Sequence, residues 1–185
     1  MEQERRLVYT ALRVSALDFE KVAAKEVLES LHAAIQNIQS DLPDQELLSK
    51  LDEADETLKT ALDALDQSYR TVQGKLDDVR LLGSRPAIDA AWEMNEAAGR
   101  RYNHLIDLNN RFAQVHSRIL DAASNHNLKS KDLKLPKELA DLAHRDTWDK
   151  QQTHIALCER TEAYFSLVEE EINARQMSHV TVRCR

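Results

Sequence analysis

Glycine and proline are nearly absent from this chain of 185 residues, with three of each, and aromatic residues make up only 5%. A sandwich or a doubly wound sheet reverses its chain often and needs many more turn formers, so both are excluded and long helices are implied. Cysteine is as scarce: Cys158 falls in a helical pattern and Cys184 near the end. Two such cysteines build no framework for a small secreted domain, and a reducing, cytoplasmic setting is expected. No apolar run approaches the ~20 residues that a spanning helix needs, and the chain begins with the charged MEQERR instead of an apolar leader. The expectation is a soluble protein, or a soluble region of a membrane protein. An excess of positive charge is missing too. The formal net charge of −7 argues against direct nucleic-acid binding, which needs a concentrated basic surface.

Site chemistry is missing at the motif level. There is no Gly-x-Ser-x-Gly, no Cys-His signature and no glycine-rich phosphate loop, so no enzyme and no cofactor is expected. Glu29-x-x-His32 has the spacing that, duplicated on two helices, holds a di-metal centre in a bundle core. Its nearest counterpart is Asp141-x-x-His144, and Glu29 and His32 fall beside the apolar stripe, so a structural or solvated role is expected for the pair. His104, His116, His126, His154 and His179 are scattered without metal-ligand spacing, and His116, next to core position Val115, is expected to be partly buried.

What the chain does have is apolar residues at helical spacing. From 4 to 39 the steps of three and four run Leu7, Thr10, Val14, Leu17, Lys21, Ala24, Leu28, Leu31, Ile35 and Ile38, a stripe with Thr10 and Lys21 as weak points. Ser40 to Asp44 contains Pro43 and should reverse the chain, with Asp44 as a cap. From 44 to 82 the stripe is Leu48, Leu51, Asp55, Leu58, Leu62, Leu65, Tyr69, Val72, Leu76 and Val79, broken only by Asp55. Ala54 and Ala61 beside it would let a neighbour approach closely, and Gly74 costs ~1 kcal/mol relative to alanine in a helix. Gly83-Ser84-Arg85-Pro86 is a second stop and restart, with glycine suited to a left-handed residue. From 86 to 124 the stripe is Ala91, Met94, Ala98, Arg101, Leu105, Leu108, Phe112, Val115, Ile119 and Ala122. Residues 125 to 136 form a polar, basic connection. A last helix is expected over 137 to 176, as one rod or as a short piece and a long one capped at Asp146 or Thr147. Its stripe is Trp148, Ile155, Cys158, Phe165, Val168 and Ile172. Residues 178 to 185, SHVTVRCR, alternate like an extended arm.

Short links between helices of this length predict an all-α, elongated antiparallel up-down four-helix bundle of coiled-coil type, with one domain over 1–177 and an extended tail. The competitors are a three-helix repeat of spectrin type and a hairpin that completes its core by dimerising. No internal repeat supports the first of these.

Charge is unevenly spread. Nine acids between Asp41 and Asp66 face only Lys50 and Lys59, while Arg100, Arg101, Arg111 and Arg118 make the third helix basic and Lys129, Lys131, Lys134 and Lys137 the loop after it. Ordinary solvated faces with Glu46-Lys50 and Asp55-Lys59 pairs are the plain reading. The functional reading is an acidic flank, Asp52, Glu53, Glu56, Asp63 and Asp66, docking a basic partner, with Val180 and Val182 of the tail as a second contact. Asp55 and Arg101 interrupt their stripes too far apart to pair, and each is expected to reach solvent at the core edge or to mark a partner or cavity. The function expected is a non-enzymatic protein–protein interaction module, an adaptor, scaffold, structural subunit or inhibitor, possible as a homo-oligomer and without membrane insertion. The alternatives are a ligand-sensing bundle of a membrane receptor and, last, a metal-carboxylate bundle.

Overall fold

A computed structural model describes residues 2–39, 44–124, 135–144, 147, 148 and 150–183, with side chains except at Asp44 and beyond residue 174. The helices are α1 Glu2–Lys21, a π-helical stretch Val22–Leu28, α2 Glu29–Gln39, α3 Asp44–Leu82, α4 Arg85–Ser124, α5 Lys137–Leu142 and α6 Gln152–Arg183. The protein is an all-α helical bundle, with no strand among the described residues. No described helix is long and apolar enough to cross a membrane. The turn expected at 40–43, the basic stretch 125–134 and the cap at Asp146 lie outside the described residues.

The last helix is the short piece and long piece, not one rod. Thr147 sits at the break: its hydroxyl donates to the carbonyls of Asp141 and His144 at 2.7 Å and its amide donates to His144 at 3.1 Å, so the chain turns here instead of continuing the helical ladder. The extended tail is a correction. Residues 178–183 continue α6: the described residues offer no strand to pair against, and the helical ladder satisfies their backbone groups.

Contacts group the chain into two compact units. The first comprises Met1–Phe19, Ser68–Arg101 and Gln152–Arg185. Tyr9 and Phe19 of α1 meet Tyr164 edge-on at 6.4 Å and Tyr69 at 5.8 Å. On α4, Ala87, Ala91, Ala97 and Ala98 are buried, and a side chain at Gly99 would come within 2.8 Å of the Tyr69 hydroxyl. The Tyr69 ring thus lies where only a residue as small as Gly99 fits opposite it. Ser84 ties the turn down: its amide donates to the Tyr9 hydroxyl at 3.0 Å, its hydroxyl donates to Glu171 and accepts the Ala87 amide of the new helix. Gly83 is not left-handed, which corrects the sequence reading. Glycine is needed there because a Cβ would sit 2.6 Å from the Val79 carbonyl. α3 and α4 run antiparallel in this unit, as the Tyr69–Gly99 approach across the turn at 83–84 indicates, and so do α4 and α6, since Glu93 meets Arg160 at 2.7 Å and Arg101 meets Thr153 at 3.5 Å.

The second unit comprises Glu20–Gln67 and Tyr102–Gln151. Its core is Val27, Leu31 and Ile35 before α3, Leu51, Leu58 and Leu65 on α3, and Leu105, Phe112 and Ile119 on α4. Fully burying one such leucine or phenylalanine is worth about 2 kcal/mol. Trp148 closes this unit, stacked edge-on against His32 at 5.5 Å.

The first stripe of the sequence divides at the π stretch. Leu28, Leu31, Ile35 and Ile38 are buried as expected, but Leu7, Val14 and Leu17 are exposed, and α1 instead buries Tyr9, Leu12, Ala16 and Phe19. Hydrogen bonds of the i→i+5 type wind more slowly than an α-helix, so seven such residues lag by on the order of 100°, about one residue. That lag changes which stripe is turned inward. A smaller correction applies to α6, which buries Leu157, Thr161, Tyr164 and Val168 and leaves Ile155, Cys158, Phe165 and Ile172 half-buried.

Candidate functional site

Buried α1 residues Tyr9, Leu12, Ala16 and Phe19 define one side of that helix, and Leu7, Val14 and Leu17 lie on the other at spacings of seven and three. Their relative exposures are 65%, 48% and 51%, so α1 is apolar on both sides and packs with only one. Thr10 and Lys21, which weakened the stripe as a core, complete it as an exposed seam.

Charges line the two edges of the seam. Arg6, Arg13 and Glu20 occupy the positions just before Leu7, Val14 and Lys21, and Glu4 and Asp18 the opposite edge. The Arg13 guanidinium lies over the Phe165 ring at 3.4 Å, a contact that leaves its charge without a carboxylate partner among the described residues. Asp18 makes no ion pair within 4 Å among the described residues.

The acids singled out by sequence lie on α3 in the second unit. Asp52, Glu53, Glu56 and Asp63 are exposed on the side of α3 opposite its buried leucines, and Asp66 is half-buried and accepts a hydrogen bond from Tyr102 at 3.3 Å. Lys50 pairs with Glu53 at 3.7 Å in place of Glu46. These groups form a solvated face and do not converge on a cavity. The side chains of Val180 and Val182 lie outside the described residues, although their backbone is helical.

Asp55 and Arg101, the two interruptions, have separate explanations. Asp55 is exposed, 3.9 Å from His116, whose other ring nitrogen is 3.6 Å from Asp52. His116 is buried, more fully than the partial burial expected from its place beside Val115, and stacks on Phe112 at 6.1 Å. Arg101 does not reach solvent: at 1% exposure it is a core residue, and Thr153 accepts from its guanidinium at 3.5 Å. Sequence position alone gives no sign of such acceptors.

His32 is committed to structure. Nδ1 lies 2.9 Å from the Leu142 carbonyl and Nε2 2.8 Å from the Gln36 amide, so both ring nitrogens are engaged. Among the described residues no cluster of three or more histidine, cysteine or acidic groups could hold a metal. No family model, no curated protein and no solved structure matches the chain.

Proposed function

We propose that this protein is a non-enzymatic interaction module whose docking face is the outer seam of α1, and that the helix it takes is α1 of a second copy, in parallel. The observation that carries the reading is the exposure of Leu7, Val14 and Leu17 at heptad spacing on the side of α1 away from its own core.

Charge supports both the occupant and its direction. In a parallel pair each edge of the seam meets the other edge of the partner, so Arg13 faces the partner's Asp18, twice by symmetry. Antiparallel pairing brings each edge against itself: Arg13 meets Arg13 and Glu4 meets Asp18, and although Arg6 then lies beside Glu20, like charges meet on both edges. The seam is short, so association should be weak, with Kd on the order of 100 μM. The acidic face of α3 is then a second surface, suited to steering a basic partner.

Sedimentation equilibrium with charge variants tests this. Asp18→Arg should weaken dimerisation several-fold, and Arg13→Asp combined with Asp18→Arg should recover most of the loss. Additive losses in the double variant, or a wild type that stays monomeric at millimolar concentration, would refute the pairing.

A further inference from the structure

A groove of about 460 Å³ opens between α1 and α6 within the first unit. That volume falls in the range of small-molecule sites. Its walls are of two kinds. Tyr9, Phe165 and Ile172 supply apolar and aromatic surface, whereas Arg6 on α1 and Glu169 on α6 supply one charge of each sign.

Neither charge is used by the fold. Arg6 and Glu169 line the same groove, yet neither makes an ion pair or side-chain hydrogen bond with any described residue. Arg6 Nε is already withdrawn from solvent and has no hydrogen-bond partner. A guanidinium that has lost part of its hydration without gaining an acceptor is primed for a carboxylate, because less water remains to be stripped when the anion arrives. A purely anionic ligand would still meet the Glu169 carboxylate.

We infer that this groove binds a zwitterion with a bulky apolar part, namely an α-amino acid with an aromatic or branched aliphatic side chain. Its carboxylate sits on Arg6, its ammonium on Glu169, and its side chain against Tyr9, Phe165 and Ile172. Arg13, stacked on Phe165 at 3.4 Å, holds that ring in place. The groove borders the α1 seam and shares Arg6 and Thr10 with it, so binding is read at protein concentrations below those of self-pairing.

Calorimetric titration of the full chain distinguishes the possibilities. L-Phenylalanine and L-leucine should give saturable binding, while 3-phenylpropionate, lacking the ammonium, and phenethylamine, lacking the carboxylate, should each bind at least about tenfold more weakly. Arg6→Met should reduce phenylalanine to the level of phenethylamine, and Glu169→Gln should reduce it to that of 3-phenylpropionate, both with melting temperatures unchanged. The ligand series decides the matter on the unaltered protein even if a variant fails to fold. No saturable heat with either amino acid up to about 10 mM, or equal binding of 3-phenylpropionate, overturns the inference.

Discussion

Gly74 lies inside α3, exposed, and a Cβ placed there would meet nothing within 4 Å. Its only effect is entropic, so Gly74→Ala should raise stability by about 0.5–1 kcal/mol in urea denaturation. A loss would show that the helix is distorted at that point. Tyr164 makes a pH-dependent contribution. Burial holds its phenol well above the ordinary tyrosine value, and the neighbouring Tyr9 and Glu171 push the same way. Unfolding returns the group to about 10, so the unfolded chain ionises first. The stabilisation from the neutral ring is complete below about pH 10 and is lost as pH rises toward the folded value. Tyr164→Phe should therefore show a smaller fall in stability between about pH 9.5 and 11.5 than the wild type. An identical fall would place the alkaline weakness elsewhere.

Whole helices test the phase argument. The π stretch accommodates about one residue more than an α-helix of the same rotation would hold, so deleting exposed Lys25 should let Val22–Leu28 close into α-helix with both flanking stripes still inward. Its melting temperature should stay within a few degrees, whereas deleting Ala16 should lower it by about 10 °C or more by turning Tyr9 and Leu12 out of the core. Equal losses would mean that the π stretch sets no phase. This also marks where the sequence was legible. On α3 and α4 each helix has one dominant stripe, and Leu58, Leu65, Leu105 and Phe112 are buried where heptad spacing puts them. On α1 two stripes compete, Leu7-Val14-Leu17 and Tyr9-Leu12-Ala16-Phe19, and spacing alone does not rank them. On α6 a half-buried set competes with Leu157 and Tyr164 in the same way. The tail failed for a different reason: alternating Val180 and Val182 carry a strand preference, but a strand needs a neighbour and a helix does not.

For the whole molecule, the acids Asp52, Glu53, Glu56 and Asp63 form a charged and solvated face, and the stronger surface feature emerges only from structure. The seam residues read naturally as core; their exposure becomes visible once the other side of α1 is seen to be packed. The most direct test is sedimentation equilibrium of the wild type against a Leu7→Glu, Leu17→Glu variant, from about 10 μM to 1 mM. The account predicts concentration-dependent dimerisation in the wild type and a monomer at every concentration in the variant, whose melting temperature in the monomeric range is unchanged because neither residue is in the core. A variant that unfolds would put Leu7 and Leu17 back in the interior. One that dimerises like the wild type would show that the outer side of α1 is not the docking face.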